Sequence, residues 1–246
     1  MSGMQTTPHA SGTLAGRVIL IVGAQGGLGA AAAVACAAQG ASLVLLGRSP
    51  RKLGAVYDAC ARQGSEPFLY PLDLEGATPE DLAALAERIG SELGALHGVL
   101  HCAAEFRGLT PLEQTDPAVF ARAIHVNLTA RWWLTQACLP LLRAAEDAAV
   151  VFAMDDPARV GEAYWGGYGV AHHGMVGLVS MLHAELASSH VRVSGLQLPP
   201  MRTALRGRAY ADDHQGLPVD RVVPACVHLL SAAGADHRGD IWKLPA

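Results

Sequence analysis

Lysine is nearly missing from this chain of 246 residues, which contains only Lys52 and Lys243. Charged residues of all kinds make up 16% of the sequence, and the formal net charge is -4. Because no run of basic residues is present, neither nucleic acid nor a membrane surface is an expected partner. Any active site that requires an ammonium group has only these two side chains to supply it.

Long hydrophobic runs and closely spaced cysteine pairs are also absent. No stretch of about 18 apolar residues occurs, so the sequence predicts no transmembrane helix. The five cysteines include no C-x-x-C pair, which argues against a zinc site or a disulfide framework and favours a reducing compartment. Residues 1–16 lack the basic start and apolar run of a signal peptide. We therefore expect a flexible N-terminal extension over residues 1–16 and a cytoplasmic protein.

Short apolar segments alternate with helical patterns over residues 17–246. The segments "RVILIVG" and "ASLVLLG" are typical of buried strands, and an alanine-rich helix lies between them. Ser49 and Thr78 are each followed by proline and predict helix N-caps. Apolar strands between helices predict a parallel sheet covered on both faces. The predicted fold class is α/β: one three-layer domain over residues 17–246, with a seven-stranded, mainly parallel sheet.

The first strand meets the first helix at "VGAQGGLGA", which contains Gly23, Gly27 and Gly29. Glycines at a strand–helix junction allow a tight turn and close approach of the backbone to a pyrophosphate. The start of the helix supplies free N–H groups for the phosphates. The alternative is an ordinary turn. The position of the glycine segment in an alternating α/β chain favours a Rossmann-type dinucleotide site instead.

The end of the second predicted strand distinguishes the two nicotinamide cofactors. An acidic residue there would bind the 2′-hydroxyl of the adenosine ribose. The sequence has "LLGRS" instead, which places Arg48 at this point. A guanidinium pairs well with a 2′-phosphate, so NADP (as NADPH) is expected rather than NAD. The alternative is a solvated arginine at the start of a helix.

Together these features resemble the short-chain dehydrogenase/reductase family over roughly residues 14–244, and the resemblance is closest to a bacterial branch of short oxidoreductases. Four later segments carry it further: "PLDL", "HCAA", "HVN" and "LPPMRT". The second and fourth depart from the usual pattern, since Cys102, Ala104 and Pro200 replace asparagine, glycine and glycine. The cofactor-binding residues that the resemblance implies are Gly23, Gln25, Gly27, Leu28, Gly29, Arg48, Asp73, Leu74, Ala103, His172 and Thr203.

The resemblance also implies a catalytic group of four residues in which two have changed. Tyr168 matches the tyrosine that exchanges a proton with the substrate, and Asn127 matches the supporting asparagine. His172 stands where the family has the lysine that holds the nicotinamide ribose and lowers the pKa of the tyrosine. Asp155, thirteen residues before Tyr168, stands where the family has serine. Neither lysine of the chain is expected to reach Tyr168 from within the same subunit.

The two changes oppose the chemistry of the tyrosine. A phenol has an ordinary pKa of about 10 and needs a nearby positive charge to act as a base. His172 is on the same helix face as Tyr168, but histidine is mostly neutral at pH 7. An ionised Asp155 opposes the phenolate and cannot donate a hydrogen bond to a carbonyl. One hypothesis is that Asp155 holds His172 as an imidazolium and so restores the charge.

Other combinations of these residues are less well supported. His101, His125, His172 and His173 lack the spacing of metal ligands, so no metal is expected. An Asp155–His172 hydrolase triad lacks the G-x-S-x-G sequence that presents a serine nucleophile.

Three further segments are candidates for a role. Trp132 and Trp133 lie on a long helix that fits either a subunit interface or ordinary core packing. Tyr164 and Trp165 precede the helix of Tyr168 and fit the substrate side. Residues 201–215 fit a mobile lid or a plain surface loop.

Three functions remain open from the sequence. The first is an NADP-dependent oxidoreductase acting on a small carbonyl or alcohol, with low activity because of the two changes. The second is a catalytically inactive NADP(H)-binding sensor or assembly protein. The third, a scaffold without nucleotide, is disfavoured by the glycine loop, Arg48 and Asp73. The family resemblance implies a homodimer or homotetramer.

Overall fold

The computed structural model describes residues 12–210 and 216–245. Its strands are β1 (Val18–Val22), β2 (Ser42–Gly47), β3 (Phe68–Pro71), β4 (Gly98–His101), β5 (Ala148–Met154), β6 (Val191–Gln197) and β7 (Ile241–Lys243). They form one sheet in the order β3-β2-β1-β4-β5-β6-β7, and every pairing is parallel. The predicted α/β class and seven-stranded sheet are confirmed.

Eight α-helices connect the strands within the described ranges. They are α1 (Gly27–Ala38), α2 (Pro50–Ala61), α3 (Pro79–Leu93), α4 (Pro117–Ile124), α5 (Ala130–Ala144), α6 (Pro157–Val160), α7 (Gly166–Glu185) and α8 (Val223–Leu230). Both predicted N-caps are confirmed: Ser49 accepts a hydrogen bond from the N–H of Lys52, and Thr78 forms a capping box with Asp81. No helix in the described part of the chain is long and apolar enough to cross a membrane.

The core lies on both faces of the sheet, as a parallel sheet requires. Along β1, Val18, Leu20 and Val22 point to the layer of α3, α5 and α7, and the alternate residues Ile19 and Ile21 point to the layer of α1, α2 and α8. All five side chains are buried, so the strand has no solvent face. This two-sided burial explains the continuous apolar segments in the sequence.

The long helical region predicted after β4 is interrupted by a π-helical turn over His125–Thr129, between α4 and α5. The turn contains Asn127, which is fully buried. Such single π turns inside helices are frequent at functional sites.

The predicted N-terminal extension, residues 1–16, falls largely on residues 1–11, which lie outside the described residues. The described part packs on the domain. Leu14 is fully buried, and its backbone N–H donates to the carbonyl of Gln39 at the end of α1. Contacts with the domain therefore begin before residue 17.

Candidate active site

A cleft of about 280 Å³ opens at the carboxyl ends of β1, β2, β4 and β5. The strand order turns back between β1 and β4, and ligands of open parallel sheets bind at such points. With the exception of Asn127, every cofactor-binding and catalytic residue predicted from the sequence lines this one cleft. Lys52 and Lys243 do not line it.

The glycine loop between β1 and α1 forms the floor of one end of the cleft. Gly23 has a φ of 81°, and a Cβ there would lie 2.5 Å from the backbone nitrogen of Ala103. A Cβ on Gly29 would lie 2.3 Å from the carbonyl oxygen of Gly23. Gly26 is the N-cap residue of helix α1, which has no side-chain cap and no acidic residue in its first turn. The free N–H groups at the start of the helix therefore have no acidic side chain in their own turn, which fits the phosphates of a dinucleotide.

Arg48 is exposed at the mouth of the cleft, directly after β2. The Gln25 side chain holds this turn in place, because its Oε1 accepts a hydrogen bond of 2.6 Å from the N–H of Ser49. No acidic residue occupies the end of β2. The site therefore presents a guanidinium where a ribose 2′-phosphate would lie.

Asp73, Leu74 and Thr203 complete the cofactor side as the sequence placed them. Asp73 accepts a hydrogen bond of 3.2 Å from the N–H of Glu75, which leaves its carboxylate at the cleft wall. Leu74 is buried, and its carbonyl accepts a hydrogen bond from His125. Thr203 accepts a hydrogen bond of 3.2 Å from the N–H of Arg206 and lies close to Gly27.

Tyr168 and Asp155 meet in the cleft, as the spacing of thirteen residues predicted. The Tyr168 hydroxyl donates to Asp155 Oδ2 at 3.4 Å. Burial raises the pKa of Tyr168 to about 12, although the nearby charges of Arg131 and Arg159 act in the opposite direction. Arg159 forms an ion pair with the same carboxylate, so Asp155 does not face the phenol as an isolated negative charge. Tyr168 is therefore held in its protonated form.

His172 lies beneath Tyr168, with ring centroids 4.1 Å apart. Its Nδ1 donates to the backbone carbonyl of Tyr168 at 2.8 Å, and the side chain is buried. Burial, assisted by the charge of Arg131, lowers the pKa of His172 to about 3. The hypothesis of an imidazolium held by Asp155 is therefore wrong, since the carboxylate is bound by Arg159 and the imidazole stays neutral.

Asn127 shapes the cleft from behind. Its Oδ1 accepts from the N–H of Glu105 at 3.0 Å, and its Nδ2 donates to the carbonyls of Glu105 and Ala123, both at 2.8 Å. The amide thus holds the segment after β4 against the π-helical turn. The Asn127 side chain therefore bonds to backbone groups, and it does not line the cleft.

Arg131 and Arg159 are the functional candidates that sequence reasoning missed. Arg131 projects from α5, is only 1% exposed, and lines the cleft. The spacing of Arg159 four residues after Asp155 is a recognisable helical ion-pair signal. Arg131 carries no such signal, because its partners come from distant parts of the chain.

The histidines considered as metal ligands bond to other groups. His101 pairs with Thr135 at 3.0 Å, and His125 and His173 bond to the backbone carbonyls of Leu74 and Gly169. A separate group at the end of α8 brings together His228, Asp236 and His237. Its members already contact each other or Trp242.

Of the two residues predicted on the substrate side, one lies in the cleft. Trp165 lines the cleft and packs against Phe106, whereas Tyr164 lies outside it. Of the predicted lid, residues 201–210 run along the cleft, and Arg208 donates to the carbonyl of Phe106 on the other side. Residues 211–215 lie outside the described residues, and the lid function stays a prediction.

The two tryptophans of α5 occupy different environments. Trp132 is exposed. Trp133 packs against the core and against His125, with ring centroids 5.2 Å apart. Core packing therefore accounts for Trp133, while Trp132 remains a candidate for the predicted subunit interface.

Comparison with known proteins gives one consistent result. The short chain dehydrogenase family model matches residues 17–214. The uncharacterised oxidoreductase YciK of Escherichia coli is 34% identical over 87% of this chain and 86% of its own. A short chain dehydrogenase structure from Pseudomonas syringae is 38% identical, covers 98% of this chain and 99% of its own, and superposes with a TM-score of 0.90.

Two further solved structures were determined with a nucleotide. One, from Shigella flexneri 2a strain 301 in complex with NADP, is 30% identical, covers 95% of this chain and 99% of its own, and has a TM-score of 0.90. The other, from Escherichia coli CFT073 in complex with NADPH, is 31% identical, covers 95% and 98% of the two chains, and has the same TM-score of 0.90. The resemblance read from the sequence motifs is thus confirmed over most of the chain.

Proposed function

This chain belongs to the short-chain dehydrogenase family, and from that premise we propose that it is an NADPH-dependent oxidoreductase that slowly reduces a small carbonyl compound. The observation that carries the proposal is the position of Tyr168. Its hydroxyl lies in the same cleft as the glycine loop and Arg48, so a proton donor and a dinucleotide site adjoin. The substrate is a small molecule that fits beside Phe106 and Trp165.

NADPH is favoured over NADH by the adenosine end of the cleft. Arg48 follows β2 where an acid would select the unphosphorylated ribose, and Gln25 fixes the turn that carries it. The structures from Shigella flexneri and Escherichia coli CFT073 that contain NADP and NADPH support the same choice. Asp73 and Leu74 would lie along the adenine, and Ala103 and Thr203 would flank the nicotinamide half.

The residues of the cleft divide the work of carbonyl reduction. When bound, NADPH supplies a hydride to the carbonyl carbon. Tyr168 donates its hydroxyl proton to the carbonyl oxygen, which becomes the alcohol, and the phenolate then recovers a proton from solvent. Burial raises the pKa of Tyr168 to about 12, so at neutral pH the phenol carries the proton that reduction requires.

Slow turnover is proposed because the two changed residues weaken the proton donor. Asp155 accepts a hydrogen bond from Tyr168, so the phenol must break that bond before it reaches a substrate. His172 is neutral and gives no positive charge to the phenolate that forms. The same facts support a second candidate, an NADP(H)-binding protein without catalysis.

Binding and turnover separate the two candidates. NADPH binding is measured by its fluorescence, and oxidation of NADPH is then followed by absorbance across a panel of ketones and aldehydes. We expect binding together with slow oxidation that falls by about 10²-fold or more in Tyr168→Phe. Val170→Ala, an exposed change on the same helix, is the control and should keep full activity. Binding without any oxidation would favour the inactive candidate, and absence of binding would rule out both.

Restoring the family residues gives a second test. In the double variant Asp155→Ser, His172→Lys, a hydroxyl donor and an ammonium group stand beside Tyr168. We expect kcat/KM to rise by about tenfold or more. The same double variant combined with Tyr168→Phe is the control and should gain nothing. No gain in the double variant would mean that the cleft is unsuited to reduction for reasons beyond these two positions.

A further inference from the structure

The starting observation is a buried cation without a carboxylate partner. Arg131 is 1% exposed and donates through Nη1 to the Ala153 carbonyl at 2.8 Å and to Met175 Sδ at 3.3 Å. Its Nη2 donates to the carbonyl of Ala103, and its Nε has no hydrogen-bond partner within residues 12–210 and 216–245. Among the described residues, no aspartate or glutamate forms a salt bridge with it.

Such an arrangement is costly unless something else uses the charge. Buried guanidinium groups are normally paired with anions, because removing a charge from water is costly. Burial lowers the pKa of Arg131 to about 10, so the group is still protonated at neutral pH. Carbonyl and thioether acceptors offset only part of that penalty.

The position of Arg131 indicates what uses the charge. Its two carbonyl partners follow or end β4 and β5, so the guanidinium lies at the base of the cleft between these strands. Tyr168 lines the same part of the cleft, and Arg131 is the charge that most lowers its pKa. Arg159 is less free to act on the phenol because it is paired with Asp155.

We propose that Arg131 performs from α5 the two tasks that a lysine at position 172 would perform from α7. It holds the hydroxyls of the nicotinamide-side ribose, and it stabilises the phenolate that Tyr168 forms when it gives up its proton. This inference rests on the proposed NADPH-dependent function.

An arginine in this place differs from a lysine in one functional respect. The guanidinium starts from a higher ordinary pKa than an ammonium group, so it keeps its proton more readily when it is buried. Its planar fork is fixed at the base of the cleft by the carbonyls of Ala103 and Ala153. The charge is therefore present at neutral pH and already oriented.

The direct test compares two ligands in four proteins. NADPH spans the whole cleft, and adenosine 2′,5′-bisphosphate fills only the end near Arg48. Affinities for both are measured by fluorescence and by displacement in the wild type, in Arg131→Met, in Arg131→Gln and in Arg143→Met. Arg131→Gln keeps amide donors for the two carbonyls, so it guards against misfolding. Arg143→Met removes an exposed arginine from the same helix and is the matched control. Melting temperatures check that each variant folds.

The expected result is a split between the two ligands. Both Arg131 variants should bind NADPH at least about tenfold more weakly and bind the bisphosphate as the wild type does. Adding His172→Lys to Arg131→Met should restore NADPH affinity, since it returns a cation to the cleft. The control should match the wild type with both ligands.

Three outcomes would overturn the inference, and they differ from failure of the proposed function. NADPH affinity that is unchanged in both Arg131 variants would show that the residue does not touch the cofactor. Equal weakening of both ligands would indicate that Arg131 only maintains the shape of the cleft. If adding His172→Lys to Arg131→Met did not restore NADPH affinity, a cation at position 172 would not do the work assigned to Arg131. If the wild type itself binds no NADPH, the proposed function fails together with this inference.

Discussion

At the scale of single residues, the cleft is governed by competition between burial and charge. Burial favours the neutral forms of Tyr168, His172 and Arg131. At neutral pH the first two side chains are in fact neutral. Arg131 remains charged because its ordinary pKa starts so high that burial lowers it only to about 10. The consequence is a site in which, at neutral pH, the phenol is protonated, the imidazole is neutral and the Arg131 guanidinium is charged.

Arg48 gives the first prediction at this scale. Arg48→Glu replaces the guanidinium with a carboxylate that accepts the hydrogen bonds of an unphosphorylated ribose and repels a 2′-phosphate. We expect NADPH affinity to fall by about 10- to 100-fold and NADH affinity to stay equal or rise. Titration with both nucleotides measures the change. Arg51→Glu, an exposed arginine that does not line the cleft, is the control. If both variants weaken NADPH binding equally, the effect is one of general charge, and Arg48 does not bind the 2′-phosphate specifically.

At the scale of elements, the junction of β1 with α1 shows why the loop requires glycine. Gly23→Ala places a Cβ 2.5 Å from the backbone nitrogen of Ala103, at a φ of 81°. We expect a loss of about 1–3 kcal/mol in the free energy of unfolding and loss of NADPH binding. Denaturant unfolding and nucleotide titration measure the two effects.

A second glycine provides the contrast for that experiment. Gly54 lies inside α2, and a Cβ there meets nothing within 4 Å. Gly54→Ala should therefore stabilise the protein by about 0.5–1 kcal/mol and leave NADPH affinity unchanged. A stable Gly23→Ala variant that binds NADPH normally would contradict the close approach of the loop to Ala103.

The elements also show how far the sequence could predict the structure. Strands such as "RVILIVG" are buried on both faces, so their apolar residues identify them without any knowledge of neighbours. The Tyr168–Asp155 contact was implied by the family resemblance, which has a serine thirteen residues before the tyrosine, and Asp155 does follow β5 directly. The π-helical turn at Asn127 was not predictable, because it has no signature in local propensity.

Arg131 marks the limit of the same reasoning. It contacts Ala103, Ala153 and Met175, which lie on three other segments, and nothing in its own helix distinguishes it from an exposed arginine. The pairing of Asp155 with Arg159 is different, because the two residues are four positions apart and their opposite charges are a local signal in the sequence.

At the scale of the whole molecule, buried histidines make stability depend on pH. Burial lowers the pKa of His172 to about 3, against about 6.5 in the unfolded chain. Between these values the unfolded state binds more protons, so stability falls as the pH falls from about 6.5 towards 3. The contribution of this residue is about 2 kcal/mol between pH 7 and pH 5. His101, whose pKa burial also lowers, adds in the same direction.

Comparison of two proteins isolates the contribution of His172. His172→Gln cannot titrate, so its free energy of unfolding should fall less than that of the wild type between pH 7 and pH 5, by about 2 kcal/mol. Urea unfolding at several pH values gives both curves. Parallel curves would mean that the imidazole reaches solvent or gains an unexpected partner.

Assembly is the other property of the whole molecule, and two exposed apolar side chains bear on it. Trp132 on α5 and Met181 on α7 are exposed, and these helices cover the same face of the sheet. We predict a homodimer or homotetramer that buries these side chains. Light scattering should give a multiple of the 25.6 kDa chain for the wild type and a smaller particle for Trp132→Glu, Met181→Glu. Leu112→Glu, an exposed apolar residue before α4, is the control. A monomeric wild type would contradict this prediction.

The central claim is that the cleft beside Tyr168 is a site for a phosphorylated nicotinamide dinucleotide. The most direct measurement is a titration of the unmodified protein with NADPH and with NADH, followed by nucleotide fluorescence. The account predicts saturable binding of NADPH and at least about tenfold weaker binding of NADH, because only NADPH carries the phosphate that Arg48 can bind. Binding of neither nucleotide, or equal binding of both, would contradict it.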